Sequence, residues 1–281
     1  MLTIIKYSFQ EMLNKKIFLS TLVLALLFLG LYGGALYMAF DRGGIDADLV
    51  LRAIVSSQLL GAGFYFSAFI VAFLTVLGGV GTVTSEMDSG ILYSILTKPL
   101  TRVSYMLGKF LGLTLMMIFF SIFMLGSVLA LNILIGGSEL YNFQFINILS
   151  AVLVYLLIPL TLLAIVFYLT TRFKSLATGV IVIMLFMLGV VGGFLEQVGV
   201  MLKKQELIDI GILTSLLSPM DSMYRMFFNI LYDTSNSPLS VVTSGPFGSI
   251  QPPSGWMIVY TIIFLSGFLL MGLQRFNKID L

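Results

Sequence analysis

Six long apolar segments limit what this chain can fold into more than any other feature of its sequence. The hydrocarbon core of a bilayer is about 30 Å thick, and about 20 helical residues cross it. Because a backbone in lipid must satisfy its own hydrogen bonds, each segment is expected to form an α-helix. The predicted spanning helices cover residues 17–40, 57–84, 106–135, 146–170, 176–195 and 256–273. The predicted fold class is an all-α membrane protein with six transmembrane helices in a single domain, 1–281.

Composition supports a membrane location and excludes several kinds of active site. Hydrophobic residues make up 59% of the 281 residues and charged residues only 10%, unlike a water-soluble protein. Histidine and cysteine are absent, which removes disulfides, thiol chemistry and the commonest metal ligand. Gly108 and Lys109 lack the flanking residues of a phosphate-binding loop. We expect no catalytic residue, metal or cofactor in this chain, and a net charge of +2 does not indicate nucleic-acid binding.

The distribution of basic residues predicts the orientation of the chain. Lys and Arg concentrate in the cytoplasmic loops that flank spanning helices. Ten of the fifteen basic residues fall in one alternating set of loops: Lys6, Lys15, Lys16, Lys98, Arg102, Lys109, Arg172, Lys174, Arg275 and Lys278. We therefore expect a multi-pass protein of the cytoplasmic membrane with both termini in the cytoplasm.

The predicted spans hold almost no ionisable residues. A charge at the centre of a bilayer costs about 2.5 to 3.5 kcal/mol on insertion scales and is normally kept for function. Pumps and ion-coupled transporters usually place acidic or basic relay residues at this depth. Self-powered transport is therefore not expected, and the energy source is expected on a partner protein.

A short amphipathic segment, "SEMDSGILYSILTKPLTR", separates the second and third spans. Its apolar stripe at helical spacing consists of Ile91, Leu92, Ile95 and Leu96. Glu86 and Asp88 suit the positive end of a helix, and Lys98 suits its negative end. Gly90 permits a sharp turn of the backbone into the helix, and Pro99 discourages continuation of the helix. The predicted helix, residues 86–98, is too short to span, so its apolar face meets either the bilayer surface or another protein.

The first 16 residues form a second amphipathic segment. Its apolar stripe holds Ile4, Ile5, Phe9, Met12 and Leu13, and its polar stripe holds Lys6, Gln10, Asn14 and Lys15. It is predicted to lie along the cytoplasmic membrane interface, either as an anchor without a partner or in contact with one.

Pairs of glycines four residues apart are expected to permit close helix packing within the chain or between copies. They are Gly30 with Gly34, Gly108 with Gly112, and Gly189 with Gly193.

Residues 196–255 are predicted to form an outer helical cap that dips into the membrane interface. In "SPMDSMYR", Ser218 can cap a helix whose first turn holds Pro219 and Asp221. Asp221 and Arg225 are four residues apart and are expected to pair on its exposed side. The cap serves either as a passive lid or in gating or substrate release.

The stretch "EMDSGILYSILTKPLTRVSYMLGKFLG" resembles the signature of type-2 ATP-binding-cassette (ABC) transporter permeases. The matching positions are Glu86, Gly90, Lys98, Pro99, Arg102, Gly108 and Lys109. Ile91 departs from the pattern, since a Thr usually follows the glycine. "SPMDSMYR" is similar to an element of the subgroup that includes nitrous-oxide-reductase-maturation and gliding-motility permeases. "TTRFKS" and the six-span plan extend the resemblance over essentially the whole chain.

The resemblance implies the permease subunit of a bacterial exporter, which dimerises, expected here as a homodimer, and docks two copies of a separate ABC ATPase. ATP and Mg²⁺ are then expected in the ATPase, and residues 86–98 act as the coupling helix. The expected coupling residues are Glu86, Asp88, Gly90, Ile91, Leu92, Ile95, Leu96, Lys98, Pro99 and Arg102. Pro219, Asp221 and Arg225 form the outer-cap element.

Two alternatives and the substrate stay open. The chain can instead be a non-transporting subunit that relays ATPase motion to an extracytoplasmic accessory protein. An integral-membrane enzyme would need clustered carboxylates, whereas those of the sequence, such as Glu139 and Asp221, are scattered. An uncharged path suits lipids, lipid-linked molecules, hydrophobic drugs or peptides, and also a path lined by backbone and hydroxyl groups.

Overall fold

The computed structural model describes residues 2–41, 49–88, 101–136, 144–232, 247–248 and 252–278. These residues form helices and no β-strand. In chain order the helices are α1 (Leu2–Asn14), α2 (Lys16–Asp41), α3 (Leu49–Asp88), α4 (Arg102–Gly136), α5 (Phe145–Thr170), α6 (Ser175–Leu202), α7 (Gln205–Leu217), α8 (Met220–Tyr232) and α9 (Trp256–Asn277).

Within the described residues, six helices are long and apolar enough to cross a membrane, namely α2 to α6 and α9. The predicted fold class, an all-α membrane protein with six spanning helices, is therefore confirmed. The central helices are α3 and α5, whose apolar stretches are mostly buried in the protein, whereas those of α2 and α9 are mostly exposed. Ser67 of α3 and Tyr155 of α5 share a buried hydrogen bond of 3.2 Å between their hydroxyl oxygens at this centre.

Helices α3, α6 and α9 continue four to seven residues beyond their predicted ends, and α3 also begins eight residues before its predicted start. Helix α3 continues to Asp88, because residues 82–88 contain no Gly or Pro that would end it earlier. Glu86 and Asp88, assigned above to the start of a separate coupling helix, thus belong to the end of α3. Residues 89–100, the rest of that predicted helix, lie outside the described residues. Helix α6 continues from residue 195 to Leu202.

The predicted outer cap differs from the structure in its first half. After α6, Lys203 adopts a left-handed conformation (φ 54°), and its N–H and that of Lys204 bond to the last carbonyls of α6. Helix α7 then runs back along α6, and α8 packs against α5. Ser218, between α7 and α8, lies against Gly189, about 21 Å from the start of α6.

The α7–α8 pair is therefore a re-entrant hairpin that turns back along α6 and reaches its middle, whereas the sequence predicts an outer cap that dips into the membrane interface. Its turn residues, Ser218 and Pro219, are buried in protein. Burial of this kind is what permits non-spanning backbone at such a depth. Residues 233–246 and 249–251 of the predicted cap lie outside the described residues.

Candidate functional site

Helix α1 packs closely across the first turns of α4. A Cβ added to Gly108 would lie 2.8 Å from Cγ2 of Ile4, and one added to Gly112 would lie 2.7 Å from Cβ of Ser8 and 2.8 Å from the Ile5 carbonyl oxygen. Only glycine at these positions lets the two backbones approach this closely. The partner of the Gly108 and Gly112 pair is thus the N-terminal helix of the same chain.

Charged side chains join α1 to both α3 and α4. Glu11 forms ion pairs with Lys15 (2.8 Å) and Lys109 (3.6 Å). Lys15 donates to the Gly81 carbonyl (3.3 Å) and Lys109 to the Thr82 carbonyl (3.0 Å). We call these five residues the N-terminal junction. It connects the end of α3, the start of α4 and the end of α1.

Lys109 is 2% exposed, whereas the sequence indicates only a basic residue of the cytoplasmic flank that forms part of a motif. Its burial is tolerated because a carboxylate and a backbone carbonyl face its ammonium group. No pattern in the sequence predicts a role for Glu11. The signal that was available is that Glu11 is the only acidic residue before Asp41.

Of the predicted coupling residues, the structure describes the side chain of Arg102. Arg102 begins α4, and its Nη1 donates to the carbonyl of Asn277 at the end of α9 (3.4 Å). Thr101 accepts a hydrogen bond from the Ser104 N–H at its side-chain oxygen (3.2 Å), which caps α4. Gly90, Ile91, Leu92, Ile95, Leu96, Lys98 and Pro99 lie outside the described residues.

A second group of charges lies at the opposite ends of the spanning helices. Arg225 of α8 donates from Nε to Oδ2 of Asp221 (3.0 Å) and from Nη2 to Oε2 of Glu196 in α6 (2.7 Å). We call these three residues the charged triad. The predicted pairing of Asp221 with Arg225 is confirmed, but its predicted exposed position is wrong, because both side chains are buried.

The triad changes two expectations drawn from the sequence. Glu196, placed beyond the fifth span, lies inside the spanning helix α6, and Arg225 brings it together with Asp221. The carboxylates are therefore not all scattered, and the spanning helices do carry buried or partly buried charge. Among the described residues, no group of three or more acidic side chains is suited to hold a metal ion.

Glycines on α6 allow the hairpin to pack closely enough for Asp221 and Arg225 to lie beside Glu196. A Cβ on Gly193 would overlap the carboxylate of Asp221, and one on Gly192 would overlap the hydroxyl of Thr214. Burial raises the pKa of Asp221 from 3.8 to about 6, a rise that the Arg225 guanidinium limits by favouring the ionised carboxylate. Asp221 therefore changes its charge near pH 6.

Tyr224 connects the hairpin to the centre of the bundle. Its hydroxyl is placed 2.8 Å from the Gly61 carbonyl of α3 and 3.0 Å from the Phe247 carbonyl, and it is buried. The N-terminal junction and Tyr224 thus both contact α3, the junction near its C-terminal end and Tyr224 at Gly61, 20 residues before Gly81.

Beside the triad, a cavity of about 280 Å³ opens between α6, α7, α8 and the start of α9. Glu196, Arg225, Ser215 and Ser222 form its polar part, and its remaining lining is mostly apolar.

Comparison with known proteins covers nearly the whole chain. A family model described as ABC-2 family transporter protein matches residues 2–281. No curated protein matches the chain.

Proposed function

Because the chain belongs to the ABC-2 transporter family, in which it is a permease subunit, we propose that a separate ABC ATPase drives export of a substrate through it. The proposal includes cytoplasmic termini, a location in the cytoplasmic membrane and two ATPase copies per permease homodimer. ATP and Mg²⁺ bind in the ATPase, and this chain performs no catalysis. The subgroup that includes nitrous-oxide-reductase-maturation and gliding-motility permeases is part of the same proposal.

The observation that carries the proposal is the N-terminal junction. Helix α3 ends at Asp88 and α4 begins at Arg102, so the proposed ATPase-docking segment lies between them. Lys15 and Lys109 bond to the α3 backbone at Gly81 and Thr82, and Glu11 pairs with both. Helices α1, α3 and α4 are therefore fixed to one another close to the docking segment.

Such a junction suits mechanical coupling. A displacement applied to residues 89–100 acts on two helices that cannot separate easily, so it moves them together rather than being absorbed by the connection. Arg102 extends the connection to the end of α9. The displacement can then travel along α3 to Gly61, where Tyr224 of the hairpin contacts it.

The test is co-purification of the ATPase with the tagged chain from its native cells. Replacing Leu92 and Ile95 together by Asn removes half of the apolar stripe, and we expect the ATPase to be lost while the chain still inserts in the membrane. The matched control replaces Ser94 and Thr97, which lie off the stripe, by Asn and should retain the ATPase. Retention of the ATPase by both variants would refute the docking proposal.

A homodimer is supported by unfilled space on α2. A Cβ added to Gly30 or Gly34 would meet nothing within 4 Å, so a helix of a second copy has room to approach there. Native mass spectrometry of the purified chain is expected to give a mass of two copies, and Gly30→Leu is expected to shift it toward one. If the wild-type protein has the mass of one copy, the homodimer proposal is refuted.

Relay of ATPase motion to an extracytoplasmic protein is the second candidate, and the Tyr224 contact between α3 and the hairpin favours it. The two candidates differ in what stimulates ATP hydrolysis. Stimulation by an exported compound supports transport. Stimulation only by an extracytoplasmic protein supports the relay.

A further inference from the structure

Four exposed cations lie where the spanning helices α5 and α9 end. Arg172 and Lys174 are in the connection that follows α5, and Arg275 and Lys278 are at the end of α9. We call these four residues the basic patch. Within the part of the chain that the structure describes, none of the four side chains forms an ion pair.

Close packing of α5 and α9 brings the cations of the two helices to one place. A Cβ added to Gly272 of α9 would lie 3.3 Å from Cα of Tyr168 in α5, and the rings of Tyr168 and Phe268 are 5.4 Å apart. The guanidinium of Arg172 lies 5.1 Å from the centre of the Tyr168 ring. Arg275 is three residues beyond Gly272, and Arg172 is four residues beyond Tyr168. The two guanidinium groups are therefore at the same level on neighbouring helices.

The patch lies at a boundary of the hydrocarbon layer. Arg275 is about 28 Å along α9 from Trp256, which is about one hydrocarbon thickness. Trp256 is 79% exposed, as is common at the opposite interface. Leu270 and Met271 are exposed one turn before Arg275, and Leu176 is exposed at the start of α6. The cations thus stand at the end of apolar surface that contacts acyl chains, at the depth of the lipid phosphates.

Charge indicates what the patch binds. The C-terminal ends of α5 and α9 each offer about half a negative charge, which offsets only part of four unit charges. The acidic side chains that the structure describes belong to the N-terminal junction, to the charged triad and to α7, so none is close enough to neutralise the patch. Guanidinium groups bind phosphate oxygens through paired hydrogen bonds. A phosphate without an attached cation therefore complements this surface.

We propose that the basic patch binds the phosphate of an anionic phospholipid. Arg172 and Arg275 donate hydrogen bonds to the phosphate oxygens, and Lys174 and Lys278 add positive charge. The acyl chains lie along α9 beside Leu270 and Met271. A membrane lipid fits better than a water-soluble partner because the exposed apolar surface continues from the patch along the spanning helices. This proposal does not depend on ATPase docking or on transport.

The test is native mass spectrometry of the full-length protein, delipidated in detergent and titrated with defined lipids. Dioleoylphosphatidylglycerol has a net negative charge, whereas dioleoylphosphatidylcholine has the same acyl chains and a headgroup cation that the patch repels. We expect the first bound phosphatidylglycerol to be retained at least about tenfold more than phosphatidylcholine.

Two double variants with the same change of net charge locate the site. Arg172→Gln with Arg275→Gln is expected to lower retention of phosphatidylglycerol about 20-fold, since each cation near a lipid surface contributes about fivefold. The control, Lys203→Gln with Lys204→Gln, removes two exposed cations at the other end of α6 and should stay within about twofold of wild type.

A third double variant separates charge from structure. Arg172→Lys with Arg275→Lys keeps both charges and should retain phosphatidylglycerol at least about fivefold better than the Gln pair. Elution volume and melting temperature show whether all three double variants are folded.

Other results would overturn the proposal. These are equal retention of the two lipids, or equal effects of the Gln pair and the control pair. Retention of glycerol phosphate, which has no acyl chains, as strongly as phosphatidylglycerol would indicate a soluble phosphate instead. If the Gln pair keeps the lipid but loses the co-purifying ATPase, the patch is a protein contact.

Discussion

Arg225 of α8 donates a 2.7 Å hydrogen bond to Glu196 of α6, and 29 residues separate the two in the chain. The bond fixes the second helix of the re-entrant hairpin to a spanning helix. The hairpin and the end of α6 therefore form one structural unit.

The triad is expected to be sensitive to loss of its cation. Arg225→Met leaves the carboxylates of Glu196 and Asp221 together without a positive charge. We expect the protein to be destabilised by about 3 to 5 kcal/mol, measured as thermal or denaturant unfolding in detergent. The control variant Lys204→Met removes a cation from an exposed position between α6 and α7. It should change the free energy of unfolding by less than about 0.5 kcal/mol. Equal effects of the two changes would contradict the burial of the triad.

Stability is expected to depend on pH through Asp221. Burial raises its folded-state pKa to about 6, above the ordinary 3.8, so between these pH values the folded protein holds a proton that the unfolded chain has lost. The free energy of unfolding should therefore fall as pH rises from about 4 to about 6, by up to about 3 kcal/mol, and then level off. The measurement is the melting temperature of wild type relative to Asp221→Asn from pH 4 to pH 7. A difference that stays constant over this range would exclude the shift.

Close packing of α1 on α4 can be tested at Gly112. An added methyl group meets the Ile5 backbone and Ser8, so Gly112→Ala is expected to destabilise the protein by about 1 to 3 kcal/mol and to expose α1 to proteolysis. Gly126 is on the same helix, and an added Cβ there meets nothing within 4 Å. Gly126→Ala should be neutral or stabilising. If α1 is cleaved at the same rate in both variants, the packing is not as described.

The N-terminal junction is expected to behave as an energetically coupled unit. Glu11→Gln and Lys109→Gln, combined in a double-mutant cycle on unfolding in detergent, should give an interaction energy of about 0.5 to 3 kcal/mol. Lys6→Gln, at an exposed position of α1, replaces Lys109→Gln in the control cycle and should give an interaction close to zero. Additive effects of Glu11→Gln and Lys109→Gln would show that the 3.6 Å ion pair does not hold α1 in place.

Sequence patterns predicted the spans well because a single physical requirement controls them. A long apolar segment in lipid satisfies its backbone hydrogen bonds as a helix, whatever its neighbours are. The ends of spans were less predictable. Glu196 indicated the end of the fifth span, yet α6 continues through it to Leu202, because Glu is itself a good helix former, and its carboxylate meets Arg225 from a later helix. Similarly, helical spacing predicted that Asp221 and Arg225 pair, but spacing along one helix does not tell whether that side faces solvent or protein.

By itself, the sequence determined that this protein is an all-α membrane protein with six spanning helices, because hydropathy and helix length are properties of each segment alone. Only the tertiary structure decided that Glu11 meets Lys109, that Glu196 meets Arg225, and that α7 and α8 fold back beside α6. Contacts between helices depend on their rotation and relative depth. These are set by close approach at particular glycines and by the pairing of distant charges, which no pattern within a single segment contains.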